Sequence, residues 1–194
     1  MSYNQSAPLL RWPRSLANKA SLDPAASFMT AKSNALLRNR KVESLAHGEW
    51  LGHPLHPALT DLPIGFWTSA FMLDFLGGEG ASRSARRLIG WGNIAAIPTA
   101  FAGLADARHL DTKNRRVAVV HGALNAGGLV AYVLSWTARH RPHRKVAIAS
   151  SLVGATLLTM AGHLGGHMVF DAEDDVRKAD EASTIPVLSD HPSG

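Results

Sequence analysis

Eight side chains carry the chemistry that could define a site: His53, His56, Asp61, Asp106, His109, His121, His163 and His167. The chain has ten histidines and no cysteine in 194 residues. Without thiols there are no structural disulfides, thiolate zinc sites, cysteine-held iron–sulfur clusters or covalently attached c-type haem. Imidazole and carboxylate chemistry remains. Neutral imidazole is the commonest protein ligand of transition metals, and two imidazoles can hold haem iron axially. Aspartates such as Asp61 and Asp106 can ligate harder ions or orient ligand imidazoles. No Gly-rich phosphate loop, H-E-x-x-H or G-x-S-x-G element appears, so nucleotide-enzyme and hydrolase readings have nothing behind them.

These residues must be positioned by helices of an unusual kind. The mean hydropathy of −0.02 is that of a soluble protein, yet residues 88–105, 117–138 and 146–170 contain no Asp, Glu, Lys or Arg. A soluble amphipathic helix shows a charged stripe over such lengths, whereas a membrane span needs about 20 mostly apolar residues. A further span is expected over 56–77, with Pro57 at its start and Asp61 and Asp74 interrupting it. Pro98 falls inside the second span, where a buried membrane helix tolerates it. Short links between the spans predict an all-α, four-helix transmembrane bundle in up-down-up-down order.

That connectivity brings the start of span one, end of two, start of three and end of four to one membrane face. The eight residues above then gather at one end of the bundle, leaving His140 and His143 in a basic loop at the other. Asp74 and Asn93 lie towards that second end, beside the head groups. His121, Asn125, Gly128, Tyr132 and Ser135 form one polar-or-small stripe, and His163 and His167 share a face beside Gly162 and Gly166. In hydrocarbon such polar groups face the bundle interior.

Outside the membrane domain, assigned to residues 47–170, lie two further segments. The arm, 1–46, is expected to be partly helical or disordered. Leu16, Ala20, Pro24, Phe28 and Met29 form an apolar edge that would lie on the membrane surface. The acidic tail, 171–194, is expected to be disordered. The net charge of +5 and the basic loop 139–145 point to anionic lipid rather than nucleic acid. Nine Lys and Arg residues flank the spans on the side of the termini against seven on the other, which places both termini in the cytoplasm.

Residues 47–77, HGEWLGHPLHPALTDLPIGFWTSAFMLDFLG, resemble an uncharacterised bacterial membrane-protein family, domain of unknown function 2231. The resemblance is carried by G-H-P-x-H-P-A-x-x-D-x-P-I-G at 52–65. Further similar pieces surround Asp106, His121 with Asn125, and 162–170, and the leader around Leu22-Asp23-Pro24 also fits. It implies a four-span domain of the bacterial inner membrane, sometimes joined to Rieske-type iron–sulfur domains. For this cysteine-free chain, such a redox partner would be a separate protein. The polar positions it shares are His53, His56, Asp61, Asp106, His121, His163 and His167; it assigns no ligand role to them.

The leading expectation is therefore a membrane redox module binding b-type haem or a transition metal. His121 with His163 or His167 is the first ligand pair, His53 and His56 the second, with Asp61 and Asp106 orienting. The competing expectation is a non-catalytic membrane scaffold, a monomer or homo-oligomer, whose polar groups only bond helices together. A proton or solute pathway through Asp61 is the third.

Overall fold

The computed structural model describes residues 8–140 and 143–184, with side chains described for 11–170 apart from 79, 141 and 142. Every regular element among the described residues is helical: α1 (Pro8–Ala17), α2 (Asp23–Leu36), α3 (Arg40–His47), α4 (Leu55–Leu76), α5 (Ser82–Asp106), α6 (Thr112–Ala138) and α7 (Arg144–Thr184), with short 3₁₀ turns between several of them.

The long helices overrun the charge-free stretches, and local chemistry explains how. Asp111 caps α6, accepting from the backbone N–H groups of Lys113 at 2.6 Å and Asn114 at 3.1 Å, so the helix begins ahead of Val117. Burial of the Asp111 carboxyl acts to raise its pKa, but these bonds and the Asn114 amide outweigh it and hold it below the usual range. Within α4, Pro63 removes the N–H that would bond the Leu59 carbonyl four residues earlier. Thr99 of α5 replaces it, its hydroxyl lying 3.2 Å from that carbonyl.

α4 packs along α5, and α6 along α7. Trp67 meets Asn93 while His56 meets Thr99, so α4 and α5 run antiparallel. His121 meets Ala161 while Ser135 meets Ser151, so α6 and α7 do likewise. The two pairs join where Trp67 stacks on Tyr132, ring centres 4.3 Å apart. Small residues permit this closeness. A Cβ on Gly92 would stand 2.5 Å from the Trp67 indole nitrogen, and one on Gly154 would stand 2.8 Å from the Tyr132 ring.

The interior is thus built from small residues, among them Ala70, Ala85, Ala102, Ala105, Ala131, Ala147 and Ala161. Large apolar side chains point outward, including Ile64, Phe75, Trp91, Ile97, Val130, Leu134, Val153 and Phe170. Water would not support that inversion, whereas lipid solvates the outer face and small residues let helices approach. Among the described residues, three stretches are long and apolar enough to cross a membrane: Ser82–His109, Thr112–Ala138 and Arg144–Phe170. α4, at 22 residues, has a span's length, about 33 Å, but carries Asp61, Asp74 and two prolines and is not among the three.

The arm forms α1, α2 and α3, with Pro24 in the first turn of α2, where a proline costs no hydrogen bond. α1 packs against α6 and α7, α2 against α6, and α3 against α4 and α5. Ala26, Ser33, Leu37 and Ala46 are buried, while Phe28 stays exposed. The segment from Asp171 continues α7 to Thr184, where a disordered tail had been expected; residues 1–7 and 185–194 lie outside the described residues.

Candidate functional site

The start of α4, the end of α5, the start of α6 and the later part of α7 meet at one end, around His56 and His121. The His56 Nδ1–H donates to the Thr99 carbonyl at 2.8 Å, tying α4 to α5. The His121 Nδ1–H donates to the Ala161 carbonyl at 2.8 Å, tying α6 to α7. Since a carbonyl only accepts, both rings carry their proton on Nδ1. His121 Nε2 then accepts from the Asn125 amide at 3.0 Å, and the same amide reaches the His121 carbonyl at 2.9 Å. The two imidazoles lie edge to face with centres 6.5 Å apart.

Metal or haem ligation requires a ring nitrogen lone pair aimed at open space. His121 has none, because Asn125 takes it. The His56 ring lies against the α5 backbone: a Cβ on Gly103 would stand 2.8 Å from its Cε1 and 3.2 Å from its Nε2. Gly165 is likewise close to His121, its Cβ position 3.2 Å from Cε1. Among the described residues, no three His, Asp or Glu side chains form a group that could hold a metal ion. As arranged, these donors do not fit a haem or a metal.

The other expected residues have surroundings of their own. Asp106 accepts from His47 at 2.7 Å, and His47 lies beside His109, ring centres 5.2 Å apart. His163 stacks parallel to Trp12 of α1 at 6.2 Å. His53 is exposed, its Nδ1 3.1 Å from the Pro54 carbonyl, and Asp61 is exposed as well. His167 is buried within α7. Asp106 and His163 thus take partners from α3 and α1, so the arm contributes to the end where these residues were expected to converge. His47 in particular was not among the expected site residues.

The arm covers this end through further bonds. Arg116 makes a two-pronged pair with Asp23, at 2.6 and 2.9 Å, and reaches the Ala17 carbonyl at 3.0 Å. The guanidinium holds the Asp23 carboxyl below its ordinary pKa of 3.8. Arg108 pairs with Glu43 at 2.7 Å and donates to the Leu37 carbonyl at 3.1 Å. The Ser33 hydroxyl donates to the Leu104 carbonyl at 2.8 Å.

The most deeply buried charges lie at the opposite end. Asp74 of α4 and Arg139, just past α6, form a two-pronged pair at 2.8 and 2.5 Å, both side chains only 2% exposed. Arg144 at the start of α7 donates to the Asp74 carbonyl at 2.8 Å. Below them the Ser135 and Ser151 hydroxyls bond at 2.7 Å. Asp74 is thus an interior residue, and Arg139 and Arg144 of the basic loop both bond to it. The signal was present: connectivity sets the ends of spans one and three on one face, and Ser135 lies one turn before Arg139.

A family model described as "Predicted membrane protein (DUF2231)" matches residues 52–177. No curated protein and no solved structure matches. The match takes in all four long helices through Arg177, the three membrane-length stretches included. This chain belongs to the DUF2231 family of predicted membrane proteins.

Proposed function

We propose that this protein is a non-catalytic membrane scaffold: a four-span, up-down-up-down bundle whose polar side chains tie helices together at both ends, with α1–α3 capping one end. The observation that carries this reading is His121, whose two ring nitrogens are both engaged, by the Ala161 carbonyl and by Asn125. α4 serves as the fourth span, antiparallel to α5 and bonded to it through His56 and Thr99. Exposed Trp50 and Trp136 near opposite ends suit the two membrane interfaces. The separate iron–sulfur protein implied by the family resemblance is the kind of partner such a scaffold would hold.

Two experiments test it. In protein purified with a chelator present, a double-mutant cycle of His121→Ala and Asn125→Ala should give a coupling of about 0.5–1.5 kcal/mol in unfolding. Zero coupling would remove the tie. The cysteine-free chain also permits single-cysteine labelling. Gly80→Cys and His140→Cys should label from one side of sealed vesicles, and His53→Cys and His109→Cys from the other; a mixed pattern contradicts four spans.

The rival reading, a haem or metal redox module, has one observation in its favour. Both Nδ1–H groups are held by main-chain carbonyls, as metal-bound imidazoles are. It requires Asn125 to leave His121 Nε2.

A further inference from the structure

The end of the molecule that holds Asp74 also holds a cavity that the helix ties do not use. It measures about 840 Å³ and is lined by Gly80, Ser82, Arg83, Ser84, Arg86 and Arg139. Its lining is polar, and among the described side chains its charge is one-sided. Asp74 lies beside it, but its carboxylate is taken by Arg139 and its main-chain carbonyl by Arg144. Arg83 and Arg86 have no ion pair among the described side chains. Arg83 is exposed and Arg86 half-buried, so both guanidiniums are reachable from the cavity, with the Ser82 and Ser84 hydroxyls alongside.

We infer that this cavity binds the phosphate of an anionic phospholipid head group, with Arg83 and Arg86 as its principal ligands. Guanidinium presents paired donors in the spacing of two phosphate oxygens, and the bond is charge-assisted. The hydroxyls of Ser82 and Ser84 add neutral donors. Arg139, pinned to Asp74, contributes a fixed wall rather than a free charge. The depression is open on its outer side, so a head group carrying glycerol can enter it as readily as a bare phosphate. The site lies at the ends of α4, α5 and α6, the depth at which a span's lipid neighbours carry their phosphates. The lipid source therefore depends on the membrane placement proposed above, but not on the histidine ties.

The test is native mass spectrometry of the full chain in a non-ionic detergent. The chain is titrated separately with dioctanoyl phosphatidylglycerol, dioctanoyl phosphatidylcholine and inorganic phosphate. Phosphatidylglycerol should bind most tightly, because the choline ammonium is repelled by the arginines. Arg83→Gln/Arg86→Gln should weaken it roughly thirtyfold and Arg83→Gln alone roughly fivefold. Arg38→Gln/Arg40→Gln, removing two exposed charges beside α3, should change it less than about twofold. Melting of each variant shows whether it folds, and the exposed Arg83→Gln serves if the double variant does not. Equal weakening by both arginine pairs, or no weakening by either, overturns the site. Inorganic phosphate binding as tightly as the lipid overturns the lipid assignment. None of these outcomes bears on the His121 coupling, to which Arg83 and Arg86 contribute nothing.

Discussion

The two ends of the bundle are both polar, yet they hold helices together by different physics. At the histidine end, ion pairs attach the arm, Arg116 to Asp23 and Arg108 to Glu43, whereas the long helices are tied to one another by imidazoles and hydroxyls that donate to main-chain carbonyls: His56 to Thr99, His121 to Ala161 and Thr99 to Leu59. At the other end, one carboxylate and two guanidiniums join α4, the α6 terminus and α7. A carbonyl that loses an imidazole donor loses one neutral bond, and each such tie fails separately. An arginine that loses its carboxylate in the interior is left as a buried charge. The histidine end is therefore graded in its response to damage, and the charged end is all-or-none.

Substitutions at both ends probe that contrast, in order of expected effect. Asp74→Ala should lower unfolding free energy by about 3–5 kcal/mol, since it strands Arg139. Asp74→Ala/Arg139→Met should recover most of the loss, because no charge is then stranded. Denaturant titration of the detergent-solubilised protein reads both, and a double variant as weak as the single one would show that the pair does more than neutralise itself. His121→Ala should cost about 1–2 kcal/mol in the same assay. A loss equal to that of Asp74→Ala would erase the distinction between the ends.

Thr99→Val should cost about 1 kcal/mol. In a Pro63→Ala background the Leu59 carbonyl regains its intrahelical donor, so the cost of Thr99→Val should fall by about half. An unchanged cost would mean that the hydroxyl serves only the Ala95 carbonyl, 2.8 Å away.

The smallest effect belongs to the arm. Because Arg116 depresses the Asp23 pKa in the folded state, the contribution is present above the ordinary value of 3.8 and is lost as pH falls through the folded value. Trp12 fluorescence should therefore report loosening of the arm only in acid. Asp23→Asn should make its attachment independent of pH in that range, and a persisting acid transition would assign it to another group.

Much of the helical scaffold was legible because hydrocarbon tolerates so few charges. The charge-free stretches lie inside α5, α6 and α7, and only their ends moved outward, where Asp111 and the arginines of α5 extend helices without entering the apolar middle. Connectivity placed His56 and His121 at one end of the bundle but not beside each other, since His121 was expected opposite His163 or His167 and His56 beside His53. The partners of Asp106 and His163 were not legible. They come from His47, at the very start of the expected membrane domain, and from Trp12, in an arm whose weak apolar spacing left its helical state and its docking undecided. Asp74 was misplaced because a charge near a helix end has the same local sequence whether it faces lipid or a neighbouring helix. Only its depth relative to Arg139 distinguishes the two. The metal reading arose because counting imidazoles per membrane face does not tell a ring nitrogen open to a ligand from one already bonded.

The most direct test of the central claim is the haem and metal content per chain of the purified protein and of His56→Ala/His121→Ala. It combines a reduced-minus-oxidised absorbance spectrum with metal analysis, and unfolding is followed in parallel. If the histidines are helix ties, neither protein carries stoichiometric haem or metal, and the variant unfolds at lower denaturant. About one haem or metal ion per chain in the parent protein, absent from the variant, would contradict the account and establish the rival redox module.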